Sequence, residues 1–201
     1  GAWSQDFITQ VVRSAIDLGR KFEFDEQHAR HVSKLCRILF QNLRELHHLD
    51  PPYELLLTVA ALLHEIGLYV STGSYHKHTM YLINNSEVFG LSRQDVLLVA
   101  LTARYHRKSS PKPTHPVYAT LDRDRRIAVA KMAAMLRVAD ALDASHSQRL
   151  QELHFSREGG RLVISLPQGD DLSLETLALK QSGTLFEEAF GLPVTLRKLR
   201  P

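Results

Sequence analysis

The sequence predicts a mainly α-helical protein with a small α/β appendage at its carboxyl-terminal end. Three observations indicate this fold class: helical spacing of apolar residues with capping signals over about residues 4–145, an apolar run inside that region, and a hairpin signature after residue 147. We therefore predict a helical domain over residues 1–147 and, packed on it, a small appendage of hairpin, helix and strand over residues 148–201.

The first two helices are predicted from their caps. Ser4 is suited to cap a helix that ends near Gly19, and Asp25 is suited to cap a second helix that runs to about His47. In both segments the apolar residues recur at helical spacing. Each helix should therefore bury one face.

The third helix should be the buried centre of the domain. It begins at Pro51-Pro52, because proline is tolerated in the first turn of a helix. The run from Leu55 to Leu63 is apolar on every side, which is typical of a helix surrounded by protein. Gly67 ends this helix, and a shorter one follows over about His78 to Asn85.

Two further capping signals complete the helical domain. Ser92 and Asp95 form a capping box for a helix that runs to about Arg104, and Asp122 caps the last long helix. The three prolines within Ser109 to Pro116 predict a loop between these two helices.

The appendage is predicted from strand and turn signals. Two short β-type segments, 153–155 and 162–164, flank a Glu-Gly-Gly turn at 158–160, where glycine permits the positive backbone angles of a tight hairpin. A helix from about Asp171 to Phe190 follows, and Val194 to Leu196 is suited to return as a third strand.

Composition narrows the function classes. With 201 residues, 44% of them hydrophobic and 23% charged, the chain is in the range of ordinary globular domains. The single cysteine, Cys36, lies in an apolar helical pattern, which fits a buried thiol in the reducing cytoplasm. The longest apolar stretch is too short to cross a bilayer, and a net charge of +3 gives no argument for nucleic acid. We therefore expect a cytoplasmic protein that binds neither membrane nor nucleic acid.

Four side chains from three distant stretches are candidates to bind one metal ion. His28 falls on the apolar face of its helix and therefore points inward. His64 and Glu65 end the buried helix, where adjacent side chains can face one ion. Asp140 lies inside an apolar helical stretch, and a buried carboxylate needs a cation or a donor nearby. Mixed imidazole and carboxylate ligands suit a divalent transition metal.

Other histidines lie at helix ends, and eleven histidines are many for this length. His78 opens a short helix and His106 ends another, so both are candidate ligands of a second ion. A structural hydrogen bond or a phosphate contact is the alternative for these two side chains. His47 and His146, in contrast, are interpreted as surface residues.

The same residues resemble a known superfamily. His28, then Leu63-His64-Glu65-Ile66-Gly67, then Asp140 resemble the order of ligands in the HD superfamily of metal-dependent phosphohydrolases. Over roughly residues 5–200, further motifs are similar to the C-terminal region of exopolyphosphatase / guanosine pentaphosphate phosphohydrolase proteins. These motifs are Tyr75-His76-Lys77-His78, Tyr105-His106-Arg107 and Phe186-Glu187-Glu188-Ala189-Phe190-Gly191.

This resemblance implies an HD-domain helical bundle with a metal-dependent phosphohydrolase site. Glu65 stands where the superfamily usually has aspartate. The implied cofactor is a divalent ion (Mn, Mg, Ni, Fe or Zn), which activates a water and holds a phosphate oxygen. The implied catalytic residues are His64, Glu65 and Asp140, and the implied metal ligands are His28, His64, Glu65, Asp140, His78 and His106.

In the proteins that the chain resembles, the phosphatase chemistry belongs to N-terminal actin-like domains with glycine-rich phosphate loops. The sequence contains no such loop pattern, so the exopolyphosphatase activity is not transferred whole. Positive charge near the site would hold a phosphate-containing substrate, with Lys112 of the proline-rich loop as a candidate lid residue. The candidate substrate-binding residues are Lys77, Arg104, Arg107, Lys108 and Arg137.

Structural interpretations stand beside the metal hypothesis. An inward histidine such as His28 is more often a hydrogen-bonded core residue than a ligand. His64 and Glu65 could be a helix cap and a solvated acid. Asp140 could pair with Arg137 instead of an ion.

Two functions from different classes follow from the sequence. The first is a metal-dependent HD-domain phosphohydrolase that acts on a nucleotide or another phosphate ester. The alternative is a non-catalytic HD-like regulatory or binding module for polyphosphate or guanosine phosphates, or for dimerisation, which makes a homodimer a candidate assembly. Metal analysis together with hydrolysis assays separates the two.

Overall fold

The computed structural model describes residues 3–167 and 171–199. Within these ranges ten helices, a 3₁₀ turn at Ile66–Tyr69 and three strands follow one another, which confirms the mainly α fold class with a small carboxyl-terminal α/β part. The helices are α1 (Gln5–Lys21), α2 (Glu26–Asn42), α3 (Arg44–His47), α4 (Pro52–Leu63), α5 (Tyr75–Asn84), α6 (Arg93–Arg104), α7 (Pro116–Ala119), α8 (Arg123–Ala141), α9 (Ser173–Ser182) and α10 (Thr184–Phe190).

Helix α4 is the buried centre, as its apolar sequence predicts. Every residue from Leu55 to Leu63 is buried. The helix packs against α1, α2, α6 and α8, so its sides all meet other helices. Within the described ranges no helix is both long and apolar enough to span a membrane.

The predicted amino-terminal caps are confirmed. Ser4, Asp25 and Asp122 each accept a hydrogen bond from the backbone N–H three residues later. Ser92 and Asp95 form a reciprocal capping box at the start of α6. These interactions are local, because each cap satisfies N–H groups that the first helical turn leaves unpaired.

The predicted continuous helix to His47 is wrong. Helix α2 ends at Asn42, and the separate turn α3 carries His47 into the interior. There the His47 Nε2–H donates to the carbonyl oxygen of Phe40 at 2.8 Å, and Nδ1 accepts the N–H of Leu49 at 2.9 Å. The interpretation of His47 as a surface residue is therefore also wrong, because the imidazole satisfies backbone groups where the helix breaks.

The predicted helix from about Asp171 to Phe190 is divided into α9 and α10. Gly183 separates them, and its N–H donates to the carbonyl oxygen of Leu179 at 2.7 Å. A Cβ atom on Gly183 would lie 2.6 Å from that same oxygen. The close approach of the two backbones therefore requires glycine here.

The three strands form one sheet in the order β1 (His154–Glu158), β2 (Arg161–Leu166) and β3 (Val194–Lys198). Strands β1 and β2 are antiparallel, and the two glycines between them have positive φ, as the hairpin signature predicts. Strand β3 returns parallel to β2, which confirms the predicted third strand.

The carboxyl-terminal elements share their core with the helical part. Helices α9 and α10 both pack against α8, and apolar residues of β2 and α10 belong to the same buried cluster as those of α4. The division into two domains at residue 147 therefore stays a prediction.

An ion pair between a buried carboxylate and a partly exposed arginine holds α9 to the segment after α8. Glu175 is fully buried, and its two carboxylate oxygens are 2.8 and 2.9 Å from Arg149 Nη2. We expect Glu175→Gln to lower the free energy of unfolding by about 2 kcal/mol, because it replaces two charged acceptor oxygens by a single neutral amide oxygen. Urea denaturation measures this change.

The matched control is an exposed pair in the same part of the chain. Glu158 and Arg197 also form an ion pair, but their side chains are 46% and 52% exposed. We expect Glu158→Gln to change the unfolding free energy by no more than about 0.5 kcal/mol. Equal effects of the two substitutions would contradict the importance of the buried pair.

Candidate metal centre

Four side chains meet where α2, α4 and α8 approach one another. His28 lies on α2, His64 and Glu65 follow the last turn of α4, and Asp140 lies in the last turn of α8. One donor atom from each residue lies within 4.8 Å of the other three. The structure thus brings together all four residues that the sequence pattern selects as ligands of one ion.

The distances between these donor atoms fit a single coordination sphere. Asp140 Oδ1 is 2.9 Å from His28 Nε2 and 3.1 Å from His64 Nε2. Glu65 Oε1 is 3.1 and 3.6 Å from the same two nitrogens. Two ligands at right angles around one ion, each about 2.1 Å from it, are about 3 Å apart. The donor set therefore fits one divalent transition-metal ion.

The end of α4 fixes the orientation of His64. Its Nδ1–H donates to the carbonyl oxygen of Ala61 at 2.5 Å, which leaves Nε2 as the ring atom that faces Asp140 Oδ1, at 3.1 Å. Thr79 Oγ1 donates to the carbonyl oxygen of His64 and accepts the N–H of Gly67. The turn that follows the ligand pair is thus attached to α5, and the imidazole is presented in the tautomer that binds metals.

His28 is oriented by a carboxylate that the sequence analysis missed. Asp143 Oδ2 is 2.7 Å from His28 Nδ1, and both side chains are 1% exposed. A carboxylate behind a ligating imidazole is common around metal ions, because it fixes the ring and increases its basicity. The available sequence signal was the spacing of Asp143, three residues after Asp140 on the same helical face.

The imidazoles and carboxylates of the group shift one another's pKa values. Burial lowers the pKa of His28, but hydrogen bonds to three carboxylates outweigh burial and raise it to about 11. Burial raises the pKa of Asp140 and Glu65, yet the charge of His64 and the hydrogen bond from His28 hold both below their ordinary values. Without an ion the protonated imidazoles compensate the carboxylates, and a divalent ion bound here would take the place of the protons on the two Nε2 atoms.

The other two predicted ligands lie outside this group. His106 is buried with its ring 5.0 Å from that of His64, its Nδ1 faces the carbonyl oxygen of Ala103, and its Nε2 is 3.0 Å from Tyr75 Oη. Burial and the nearby charge of His64 lower the pKa of His106 to about 3, so its neutral Nε2 accepts a hydrogen bond from the hydroxyl of Tyr75. His78 is partly buried on α5, while Tyr75 of that helix reaches the site. A second ion therefore stays a prediction.

The group opens into a cleft of about 480 Å³. Glu65 and Asp140 line it, whereas the imidazoles of His28 and His64 lie behind them and are at most 1% exposed. Helix α9 supplies part of the wall through Ala178 and Gln181. The basic residues that line the cleft are Arg107, Lys108 and Arg137.

Arg137 uses its guanidinium to hold the backbone beside the cleft. Its Nε–H donates to the carbonyl oxygen of Tyr105 at 2.7 Å, and Nη2 donates to those of Ser109 and Lys108 at 2.9 and 3.3 Å. Asp140 Oδ1, in contrast, faces the two imidazoles. Arg137 therefore fixes the backbone beside the cleft, while Asp140 pairs with the two imidazoles instead of with Arg137. Contact of Arg137 with a substrate stays a prediction.

The remaining predicted substrate-binding residues lie away from the cleft lining. Lys77 is exposed on α5, and the guanidinium of Arg104 lies 5.1 Å from the ring of Tyr105. Lys112 is exposed in the proline-rich loop. Contact of these residues with a substrate stays a prediction.

His146 is a second residue that the sequence analysis missed. Its ring stacks on that of His28, with centroids 3.6 Å apart and planes 9° apart, and it lines the cleft. Its Nδ1 is 2.8 Å from Asp25 Oδ2. His146 is exposed, as expected for a surface residue, and its ring nevertheless packs on His28, because the loop after α8 folds back over α2.

Comparison with known proteins shows the family of the chain. Residues 12–182 match the family model described as Ppx/GppA phosphatase, domain III. The chain is similar to proteins named guanosine-5'-triphosphate,3'-diphosphate pyrophosphatase. Identity is 25% over 189 residues with the protein of Photobacterium profundum, covering 92% of this chain and 37% of the relative. Identity with the protein of Aliivibrio fischeri (strain ATCC 700601 / ES114) is 30% over 161 residues, which are 78% of this chain and 32% of the relative.

A further relative from Pseudoalteromonas translucida is 32% identical over 110 residues, which are 54% of this chain and 22% of the relative. The chain thus spans about a third or less of the length of these curated relatives. The family match covers most of the chain and confirms the resemblance to the C-terminal region of exopolyphosphatase-related proteins. The chain belongs to the Ppx/GppA phosphatase family, of which it is a domain III.

Proposed function

We propose that this chain is an HD-type phosphohydrolase that uses one divalent metal ion to cleave a phosphate ester or anhydride of a nucleotide. One observation carries the proposal: the donor atoms of His28, His64, Glu65 and Asp140 lie within 4.8 Å of one another at the base of an open cleft. The order of these residues along the chain is that of the HD superfamily, and imidazole and carboxylate donors together suit Mn, Fe, Ni or Zn.

Each residue at the cleft has a distinct task in this proposal. A bound divalent ion would polarise a phosphoryl oxygen and activate water. Glu65 and Asp140 supply the charge that holds the ion, and Asp143 keeps the ring of His28 in position. Arg107 lines the cleft with its guanidinium 4.4 Å from the ring of Tyr75, where it can bind phosphate oxygens.

Glu65 stands where aspartate is usual, but its carboxylate oxygen still lies close to the other donor atoms of the group. Its Oε1 atom is 3.1 Å from the His28 Nε2 atom, a distance as short as that between His64 Nε2 and Asp140 Oδ1. The extra methylene is accommodated because Glu65 lies between the end of α4 and the 3₁₀ turn, where the backbone leaves the helical path. The glutamate therefore supports a metal-binding site.

The names of the relatives favour a guanosine phosphate as substrate class, because those proteins are named for a guanosine 5'-triphosphate 3'-diphosphate. The same comparison favours a second candidate. Since the chain spans about a third of the relatives, it could serve as a non-catalytic module that binds guanosine phosphates or polyphosphate. Self-association as a homodimer likewise stays a prediction.

The test combines metal analysis with hydrolysis assays. Purified protein is stripped with a chelator, reloaded with Mn²⁺ or Ni²⁺, and assayed with 4-nitrophenyl phosphate, bis(4-nitrophenyl) phosphate, GTP and polyphosphate. We expect one ion per chain and turnover that appears only after reloading. Binding of GTP or polyphosphate without turnover on any substrate would overturn the enzyme and support the binding module.

Arg137 offers a separate prediction, because it holds Lys108 and Ser109 through their backbone carbonyls. Lysine cannot reproduce the planar set of donors. We expect Arg137→Lys to raise the KM for a phosphate substrate about tenfold, since Lys108 and Arg107 lose their fixed position. Steady-state kinetics with parallel Mn²⁺ titration measures this.

The control for this substitution is Arg123→Lys in the first turn of the same helix, where the side chain is exposed. We expect the control to leave the KM unchanged, and both variants to bind Mn²⁺ as the unmodified chain does. Loss of metal affinity in Arg137→Lys would contradict a role confined to the substrate-binding segment.

A further inference from the structure

One buried histidine makes no hydrogen bond within the part of the chain that the structure describes. His76 lies on α5 and is 5% exposed. Its Nδ1 atom is enclosed without a hydrogen-bond partner, and its Nε2 atom forms no hydrogen bond to the protein either. The other buried histidines of the described ranges each form at least one; these are His28, His31, His47, His64 and His106. Because buried polar groups are almost always paired, the ring of His76 indicates a partner from outside the protein.

Four basic side chains lie close to this ring. Their charges all interact electrostatically with His76, and they belong to Arg107, Lys77, Arg104 and Lys108. Among the residues that the structure describes, none of the four forms an ion pair with a carboxylate. Elsewhere in the chain such partners occur, as for Arg20 with Glu26. Since the net charge of the whole chain is only +3, four unpaired positive charges in one place favour an anionic ligand.

Arg104 has a buried donor without a partner as well. Its Nε–H is enclosed, and its guanidinium makes no hydrogen bond to the protein. The guanidinium lies 5.1 Å from the centroid of the Tyr105 ring, and the hydroxyl of that ring is 2.5 Å from His115 Nδ1. A guanidinium packed against an aromatic ring keeps its planar set of N–H donors for phosphate oxygens. Arg104 is therefore suited to bind a phosphate group.

The basic cluster continues into the cleft of the metal centre. Arg107 and Lys108 line the cleft, and both also interact with the ring of His76. Lys77 and Arg104 lie outside the cleft lining. Positive charge therefore extends from the cleft to a second position beside it.

We propose that His76 and the four basic residues form a phosphate site beside the metal cleft, which binds a phosphate group other than the one that is cleaved. Binding at this site needs no metal ion, whereas its part in substrate choice rests on the proposed function. The arginines and lysines supply the charge, and the Nε2 atom of His76 is the ring nitrogen left for a hydrogen bond to the ligand. The substrate class that follows is a nucleotide with a diphosphate or a longer phosphate chain, in preference to a monophosphate ester.

Calorimetric titration of the metal-free chain tests the site without any hydrolysis. With EDTA present, the protein is titrated with sodium pyrophosphate and with inorganic phosphate. We expect pyrophosphate to bind at least about tenfold more tightly, because the longer anion reaches more of the positive charge. Lys77→Gln should weaken pyrophosphate binding about fivefold. The matched control is Lys21→Gln, which removes an equal charge from an exposed side chain of α1 and should leave binding unchanged.

His76→Phe separates a binding role from a structural one. Phenylalanine keeps an aromatic ring in the buried position but has no nitrogen atoms. We expect this variant to bind pyrophosphate at least about tenfold more weakly, while its urea midpoint stays the same or rises because an unpaired buried nitrogen is lost. Unchanged affinity in the folded variant would overturn the site, and the exposed Lys77→Gln tests the site even if His76→Phe does not fold.

The outcomes distinguish this site from the proposed hydrolase. If pyrophosphate did not bind the metal-free chain, bound no more tightly than phosphate, or bound Lys77→Gln and Lys21→Gln equally well, the site would be overturned and the hydrolase would stand. If pyrophosphate bound as expected but the Mn²⁺-loaded chain hydrolysed no substrate, the hydrolase would be overturned. The phosphate site would then stand as part of the binding module.

Discussion

Asp140→Asn is expected to lower the affinity for Mn²⁺ at least about 100-fold and to abolish metal-dependent turnover. The Oδ1 atom of Asp140 is the one closest to both ligating imidazoles, at 2.9 Å from His28 Nε2 and 3.1 Å from His64 Nε2. Substitution of residues that only support a ligand already costs about 10- to 100-fold in metal affinity, so the loss of a charged ligand should cost more. Calorimetric titration and elemental analysis measure the binding.

The control lies on the same helix. Asp124→Asn removes an equal charge from an exposed side chain in the first turn of α8, far along the helix from the cluster. We expect this variant to bind Mn²⁺ normally. If Asp140→Asn also bound Mn²⁺ with unchanged affinity, the ion would lie elsewhere and the four-residue centre would be refuted.

Gly67→Ala is expected to lower the free energy of unfolding by about 3 kcal/mol. A Cβ atom at Gly67 would overlap the carbonyl oxygen of Tyr75 and would lie 2.5 Å from the backbone nitrogen of Thr79. Both contacts are with the backbone of α5, so relief requires the turn after α4 to separate from that helix. Chemical denaturation measures the loss.

The same substitution should weaken the metal centre, because the displaced turn carries His64 and Glu65. Gly73→Ala is the control: the nearest atom to its added Cβ is Ser71 Oγ at 3.8 Å, an ordinary contact. We expect Gly73→Ala to change the unfolding free energy by no more than about 0.5 kcal/mol and to leave Mn²⁺ affinity unchanged. Equal stability of the two variants would show that α5 adapts to the extra methyl group.

Helix starts and the buried helix could be predicted from sequence because their causes are local. A cap such as Asp122 bonds a backbone group three residues away, and the run from Leu55 to Leu63 is apolar on all sides. The break after α2 could not be predicted in this way. It depends on His47 entering the interior and bonding Phe40, which is a tertiary interaction that apolar spacing does not encode.

The residues of the candidate site also differ in whether sequence alone could predict them. His28, His64 and Asp140 were selected by their residue types at helical positions and by the order of the superfamily, and the structure brings them together. Asp143 and His146 were missed for a physical reason. Their roles depend on a loop with left-handed residues that folds back onto α2, and a single sequence gives no signal for that path.

The wall that α9 contributes to the cleft has a thermodynamic consequence. Ala178 and Gln181 face the same space as Asp140 of α8, so a molecule that fills the space touches both helices. The full binding energy of that molecule is available only while α8 and α9 are packed together. Binding in the cleft therefore stabilises the packing of the carboxyl-terminal segment, and that packing in turn strengthens binding. The segment after α8 therefore forms part of the site, and a saturating ligand should stabilise its packing against the helical part of the chain.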